Sequence, residues 1–228
     1  MNTKTIVTLA LVATVYALFI NWMSLSGINA GEMTSIGWYN EYGEQMKISI
    51  YPIYVWLYLP FTVCFYLFGT LFLSKVIGLV NKWLGRTAFV LWCVNAVVVL
   101  LIAFFNIYVV SRFSGDEMYR SLEEYWRTGG SSEHPLVWFM VSSDMAFYRV
   151  QHFSYLLPLL AFVLVFAWLI KKDKVWGITG TMAMLVLLVI FLFPLPYASC
   201  INNLCWVVLF AVTLWKLYQS PRKPFLLS

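Results

Sequence analysis

The sequence predicts an all-α integral membrane protein, a six-transmembrane helix bundle with a small extracytoplasmic helical cap. Three observations predict this fold class. The 228 residues are 62% hydrophobic and 11% charged, whereas soluble domains have about 25% charged residues. The apolar residues form runs close to the roughly 20 residues that cross a bilayer as a helix. The charged residues lie in short clusters between these runs, which favours orientation in a membrane over nucleic-acid binding as the reason for the net charge of +5.

The six predicted spans are apolar on every face, which indicates helices and not the alternating strands of a membrane barrel. The first run follows only Lys4, exceeds a signal-peptide core of about 7–15 residues and lacks a small-residue cleavage site, so we expect it to be an uncleaved span. The whole chain, residues 1–228, is then a single membrane domain. The predicted spans are 5–23, 51–73, 87–110, 153–170, 175–193 and 204–217.

The charges of the connections predict the orientation of the bundle. Ten of the fifteen basic residues fall in one set of connections, namely Lys4, Lys75, Lys82, Arg86, Lys171, Lys172, Lys174, Lys216, Arg222 and Lys223. Nine of the ten acidic residues fall in the other set, in the loops 24–50 and 111–152, while the remaining loop 194–203 on that side is uncharged. The positive-inside rule places both termini in the cytoplasm and the three loops outside, and a bacterial inner membrane fits it best.

The long loop is expected to contain the helical cap. Ser114 and Glu117 match a capping box, and Gly129-Gly130 is a stop signal, so the pattern predicts a helix over Gly115–Thr128. One face of this helix is apolar and packs on the first outside loop, on the bilayer surface or on a partner protein. The candidate interface residues are Met118, Leu122, Tyr125 and Trp126, with Trp38 and Tyr42 of the aromatic first loop.

Polar residues near or within the spans are few. Asn95 and Asn106 of the third span should point into the bundle and bond across helices, which favours a structural role over a transport path. Asp144, Arg149 and His152 form a candidate polar mouth at the outer end of the fourth span. Their spacing matches no known ligand or catalytic motif, so we predict no catalytic residues, no metal site and no cofactor.

Two cysteines flank the Asn202-Asn203 pair, which suits a tight turn. Because this hairpin is expected outside the cytoplasm, where disulfides persist, the sequence predicts a disulfide between Cys200 and Cys205. A redox-active pair is the competing interpretation, although the spacing is not Cys-x-x-Cys.

These observations leave three classes of function. The first is a non-enzymatic membrane protein that senses, binds or assembles with a partner through its outer cap, as an envelope sensor, immunity protein or phage-defence component would. The second is a channel or carrier formed by an oligomer. The third is a thiol oxidoreductase or lipid-acting enzyme at the outer face. The expected partners are membrane lipid, a protein at the outer face and further copies of the chain, and not nucleic acid.

Overall fold

A computed structural model describes the main chain over residues 2–25, 34–39, 45–50, 52–112, 135–193 and 197–219. Side chains are described over 2–23, 59–76, 78–105, 153–193 and 197–219, and at Leu57, Tyr108 and Val150. The predicted cap helix with its four interface residues lies outside the described residues, as does Tyr42. For Trp38, Asn106, Asp144, Arg149 and His152 the main chain alone is described.

Six helices make up the body of the described chain. They are α1 (Thr3–Leu25), α2 (Pro52–Val76), α3 (Lys82–Arg112), α4 (Pro135–Leu169), α5 (Lys174–Leu192) and α6 (Ala198–Gln219). A 3₁₀ turn, Ile77–Leu79, follows α2 directly. Five of the helices are long and apolar enough to cross a membrane, and α4 contributes a shorter apolar stretch, Phe153–Leu169. The predicted helical membrane bundle is confirmed.

The first loop contains a β-hairpin that the sequence analysis does not predict. Strand β1 (Thr34–Tyr39) pairs antiparallel with β2 (Gln45–Ile50), and Tyr39 lies opposite Gln45 at the turn. The residues of β2 alternate between polar and apolar from Gln45 to Ile50, which is the pattern of a strand with one apolar face. Two glycines and the adjacent aromatic residues masked this short alternation in a loop dominated by turn signals.

Three helix boundaries differ from the predicted spans by more than a turn. Helix α3 begins at Lys82, five residues before the predicted span 87–110. Helix α4 begins at Pro135, before Phe153 and also before Asp144, to which the helix-start signal Ser142-Ser143-Asp144 would extend the fourth span, so part of the predicted loop 111–152 is helical. Helix α6 begins at Ala198 and not at Leu204, so the Asn202-Asn203 pair lies in a helix and not in a turn. Just before α6, Tyr197 has a φ of 63°, and its carbonyl accepts a bond from the Ile201 amide at 3.0 Å. Helical hydrogen bonding therefore begins before the asparagines, and no turn forms at the pair.

The helices pack as a closed ring in chain order. Each helix packs on the next, and α6 returns to pack on α1. The ring closes at the termini, where the Lys4 ammonium lies 4.5 Å from the centre of the Tyr218 ring. Because consecutive helices run in opposite directions, the start of α1, α3 and α5 meets the end of α2, α4 and α6. We call this end the basic end because it carries Lys4, Lys75, Lys82, Arg86, Lys171, Lys172, Lys174 and Lys216; the opposite end is the loop end.

Aromatic side chains fill the inside of the ring. The ring of Trp206 on α6 lies 5.3 Å from that of Phe65 on α2 and 5.7 Å from that of Trp92 on α3, measured between centroids. These contacts cross the ring, because α6 is not next to α2 or α3 in it. Nearer the basic end, Phe72 contacts both Phe210 and Trp176. Through the described part of the bundle, the axis is therefore occupied by packed side chains, each of which buries a large apolar area.

Candidate functional site: a polar network at the loop end

Asn95 of α3 is fully buried and bonds to two other helices. Its exposed fraction is 0%, and its amide Nδ2 donates to the Tyr66 hydroxyl of α2 at 3.0 Å. Its carbonyl Oδ1 accepts from the Ser154 hydroxyl of α4 at 3.1 Å. An amide in an apolar bundle is costly unless donor and acceptor are both satisfied. Asn95 has the inward-facing, cross-helix arrangement that the sequence indicates.

The neighbouring residue on α4 forms a second set of bonds, to α6. The Tyr155 hydroxyl donates to Asn202 Oδ1 at 2.9 Å and accepts from the Trp206 indole Nε1 at 3.3 Å. Asn202 in turn donates through Nδ2 to Asn203 Oδ1 at 3.3 Å, and Asn203 is buried. Asn202 thus uses its amide for one tertiary bond, to Tyr155, and one local bond, to Asn203, which explains why the pair lies in a helix although its local preference is for a turn.

Together these residues form what we call the polar network: Tyr66, Asn95, Ser154, Tyr155, Asn202, Asn203 and Trp206. Ser154 and Tyr155 are adjacent, so their side chains leave α4 about 100° apart, one toward α3 and the other toward α6. This single pair of residues on α4 connects four helices. The network lies toward the loop end, since Ser154 is at the start of the apolar stretch of α4 and Asn202 is in the second turn of α6.

The predicted Cys200–Cys205 disulfide is corrected by the structure. Both residues are free cysteines, and both lie on α6, five positions apart. In a helix this separation is about 7.5 Å along the axis with the side chains on different faces, beyond the roughly 4.4–6.8 Å between Cα atoms that a disulfide requires. The same geometry counts against a redox-active pair. Cys64 and Cys93 are also free and lie on α2 and α3.

The basic end has one described ion pair. The Asp173 carboxylate accepts a bond from the Trp176 amide at 3.0 Å and thereby caps the start of α5. Its other oxygen lies 3.1 Å from the Lys216 ammonium of α6. Deeper in the bundle, the Trp176 indole donates to the Thr213 hydroxyl at 2.8 Å. Helices α5 and α6 are therefore held in register at this end by both charge and hydrogen bonding.

Most of the polar network was not singled out from the sequence. Asn95 was, because an amide within an apolar span is readily recognised, but Ser154 and Tyr155 resemble ordinary residues of a span. The described residues contain no group of three or more histidine, cysteine or acidic side chains that could hold a metal ion.

No family model, no curated protein and no solved structure matches the chain. The fold and composition define its class, a helical integral membrane protein.

Proposed function

We propose that this chain is a non-enzymatic membrane component that binds a partner or signal at its loop end and transmits the event into the bundle through α4. The observation that carries the proposal is the unbroken course of α4 from Pro135 to Leu169. The same helix begins in the predicted outer loop and, within the bundle, carries the two residues that connect the polar network.

The length of α4 supports this role. Its 35 residues correspond to about 52 Å of helix, whereas the hydrocarbon core of a bilayer is about 30 Å thick. The apolar stretch begins at Phe153, so the preceding residues form a helical extension beyond it. A helix transmits displacement better than a loop because its main chain is internally bonded. A partner that tilts or rotates this extension would move Ser154 and Tyr155 against α3 and α6.

The polar network also supports the proposed role of α4, because the network contains a few directional bonds in an otherwise apolar interface. Bonds of this kind specify one arrangement of helices over others, since a shifted arrangement leaves amides and hydroxyls unsatisfied. A partner that broke these bonds would release the helices into a second arrangement, and such a change of state is what a membrane sensor needs in order to respond to binding.

The distribution of charge supports a particular orientation of the bundle in the membrane. The basic end is proposed to face the cytoplasm, with both termini, and the loop end to face outward, as in a bacterial inner membrane. The cap residues Met118, Leu122, Tyr125 and Trp126, with Trp38 and Tyr42, are proposed as the partner surface.

Packing of the bundle favours this function over conduction through a single chain. The aromatic contacts between α2, α3 and α6 occupy the axis of the ring, so a path for ions would have to run between copies of an oligomer. Proteoliposomes containing the purified protein are therefore expected to retain their ion gradients.

The experiment that tests the proposal uses a photocrosslinking residue at position 148, on the α4 extension, in cells. We expect a discrete crosslinked product that is lost in the Tyr125→Ala/Trp126→Ala variant. The matched control places the same crosslinker at position 171, at the basic end, and should not give that product.

Once the captured partner is purified, hydrogen exchange of residues 198–206 should change on binding to the wild type and not to Tyr155→Phe. Identical products from both positions, unchanged exchange in the wild type, or rapid ion leakage from proteoliposomes would each contradict the proposal.

A further inference from the structure

Pro158 lies inside α4, one turn after the two residues that connect the polar network. A proline has no N–H, so Pro158 cannot donate the helical bond to the carbonyl of Ser154, four positions earlier, and its ring crowds that carbonyl. Sharp bends of helices occur mostly at prolines for this reason. The main chain of α4 is therefore least constrained between Ser154 and Pro158, where the side chains of Ser154 and Tyr155 bond to α3 and α6.

The packing of α4 changes at Pro158. Four apolar residues after it are each at most 2% exposed, namely Leu159, Phe162, Phe166 and Leu169. Before it, none of the residues 153–157 is buried, and Phe153 and Leu157 are 63% and 49% exposed. The helix is thus anchored in the core on one side of the proline and is held mainly by the bonds of Ser154 and Tyr155 on the other.

Helix α5 holds the inner part of α4 in place. A Cβ atom at Gly180 would clash with the ring of Phe166, and one at Gly177 would clash with the main chain of Ile170. Contact this close leaves no room for the inner part of α4 to tilt toward α5. Residues 159–169 are therefore the fixed part of α4, and residues 135–157, which we call the outer part, are free of this constraint.

A swing of the outer part about Pro158 would move the polar network by a small, defined amount. From its first residue to Pro158 the helix rises about 34 Å, whereas Ser154 and Tyr155 lie about 4–6 Å along the axis from Pro158. A tilt of about 10°, half of a sharp kink, moves the outer end by about 6 Å and the two network residues by about 1 Å. The bonds from Ser154 and Tyr155 to their partners are 3.1 and 2.9 Å long, so a shift of about 1 Å away from the partners breaks them.

We propose that Pro158 is a hinge in α4, and that the polar network is a latch that holds the outer part in one of two orientations. Hydrogen bonds suit a latch because they are directional and are lost within a short displacement. In the observed, latched orientation, Ser154 bonds to Asn95 and Tyr155 bonds to Asn202. In the released orientation both bonds are broken and the outer part is tilted about the hinge. The event that opens the latch rests on the function proposed above, whereas the hinge is a property of this chain alone.

The test measures the orientation of the outer part by double electron–electron resonance between two spin labels. It uses the full-length chain in lipid nanodiscs, with the four native cysteines replaced. One label is attached at Ser143→Cys, on the outer part, and the other at Ile178→Cys, a 50% exposed position of α5. The parent protein is expected to give one narrow distribution of distances. Tyr155→Phe and Asn95→Ala, tested separately, should each add a second distance shifted by up to about 4 Å, since a tilt of about 10° acts over about 22 Å of helix.

The matched control compares two prolines that lie inside helices. Pro158→Ala, added to either latch variant, restores the main-chain bond to Ser154 and should remove the second distance. Pro60→Ala, which makes the same change within α2, should leave the second distance in place. An unchanged distribution in both latch variants would overturn the latch, and equal effects of the two proline substitutions would overturn the hinge.

Size-exclusion profiles establish which variants are folded. Tyr155→Phe keeps the aromatic ring and carries the test if Asn95→Ala does not fold. If Pro158→Ala does not fold, the latch variants alone still decide whether a second orientation exists. The measurement uses no partner, so failure of the hinge and failure of the proposed function give different results.

Discussion

Asn95 shows how much one polar residue can determine in an apolar bundle. It bonds to Tyr66 and Ser154 and thereby ties α3 to both of its neighbours in the ring. Interhelical hydrogen bonds in membranes contribute about 0.6 kcal/mol on average and up to about 1.7 kcal/mol. The larger consequence of removing one partner is the buried donor or acceptor that remains without a bond.

We predict that Asn95→Ala lowers the free energy of unfolding by about 1–3 kcal/mol, because it leaves the Tyr66 and Ser154 hydroxyls without this partner. Unfolding of the purified protein by a denaturing detergent measures the change. The control is Val94→Ala at the adjacent, 52% exposed position, which should change stability little. Equal effects of the two substitutions would show that the network has no energetic role.

Gly180 gives a steric prediction at the same scale. A Cβ atom at this position would clash with the Phe166 ring, which would force α4 and α5 apart. We expect Gly180→Ala to lower the free energy of unfolding by about 1–3 kcal/mol or more, the range typical of overpacked cores. Gly78→Ala is the matched control, since a Cβ there meets nothing within 4 Å. If Gly180→Ala unfolds like Gly78→Ala, the close packing of α4 on α5 is wrong.

At the scale of the element, α4 and α6 show opposite relations between local preference and tertiary structure. Helix α4 continues outward from the membrane stretch because no proline or glycine interrupts residues 136–157, and Pro158 lies within the apolar part. Helix α6 includes Asn202 and Asn203 in spite of their preference for turns, because Asn202 accepts a bond from Tyr155 of α4 and donates one to Asn203. The outward continuation of α4 can be predicted from the sequence if Ser142, Ser143 and Asp144 are taken as helix interior. The helical state of Asn202 and Asn203 cannot, because it depends on Tyr155.

The start of α5 permits a prediction that separates two contributions of one residue. Asp173 both caps the helix and pairs with Lys216. Asparagine is as good a cap as aspartate, so Asp173→Asn should lose only the ion pair, about 0–1 kcal/mol for a partly exposed pair. Asp173→Ala should lose the cap as well, about 1 kcal/mol more.

Thermal unfolding of the two variants measures this difference. In the Lys216→Gln background, Asp173→Asn should change the stability almost no further. Asp173→Ala should still lower the stability there, because it removes the helix cap. Equal destabilisation by both substitutions in the wild-type background would contradict the capping role.

At the scale of the whole molecule, the closed ring collects the basic residues at one end because neighbouring helices alternate in direction. We propose from the positive-inside rule that this end faces the cytoplasm. The ring also explains how the bundle buries large aromatic side chains, since every helix has two neighbours and one face toward the axis.

The orientation is tested by labelling single cysteines in a variant whose four native cysteines are replaced by serine or alanine. A membrane-impermeant maleimide should label Glu123→Cys in intact spheroplasts, because the long loop is expected outside. It should label Lys172→Cys, at the exposed turn of the basic end, only after the membrane is permeabilised. Labelling of both positions from one side would contradict the proposed topology.

Several features of this protein follow from its sequence alone. Long apolar runs have only one stable arrangement in a bilayer, since every main-chain amide must be satisfied within its own helix, and this determined the helical bundle and the approximate spans. The charge asymmetry predicted which ends of the helices would lie together. The Asn95 amide was recognisable because a polar group in a span must find a partner.

Tertiary structure alone decided which side chains meet. Whether Asn202-Asn203 forms a turn or a helix depends on Tyr155, 47 residues away along the chain, and a local pattern carries no information about that partner. The same helix also separates the cysteines. Because Asn202 and Asn203 are helical, Cys200 and Cys205 lie on one rigid segment and cannot approach each other. The packing of α4 against α2 and α3 at the basic end likewise depends on tertiary structure, since Phe162 and Val165 come from a helix distant in sequence from Leu73 and Ala88.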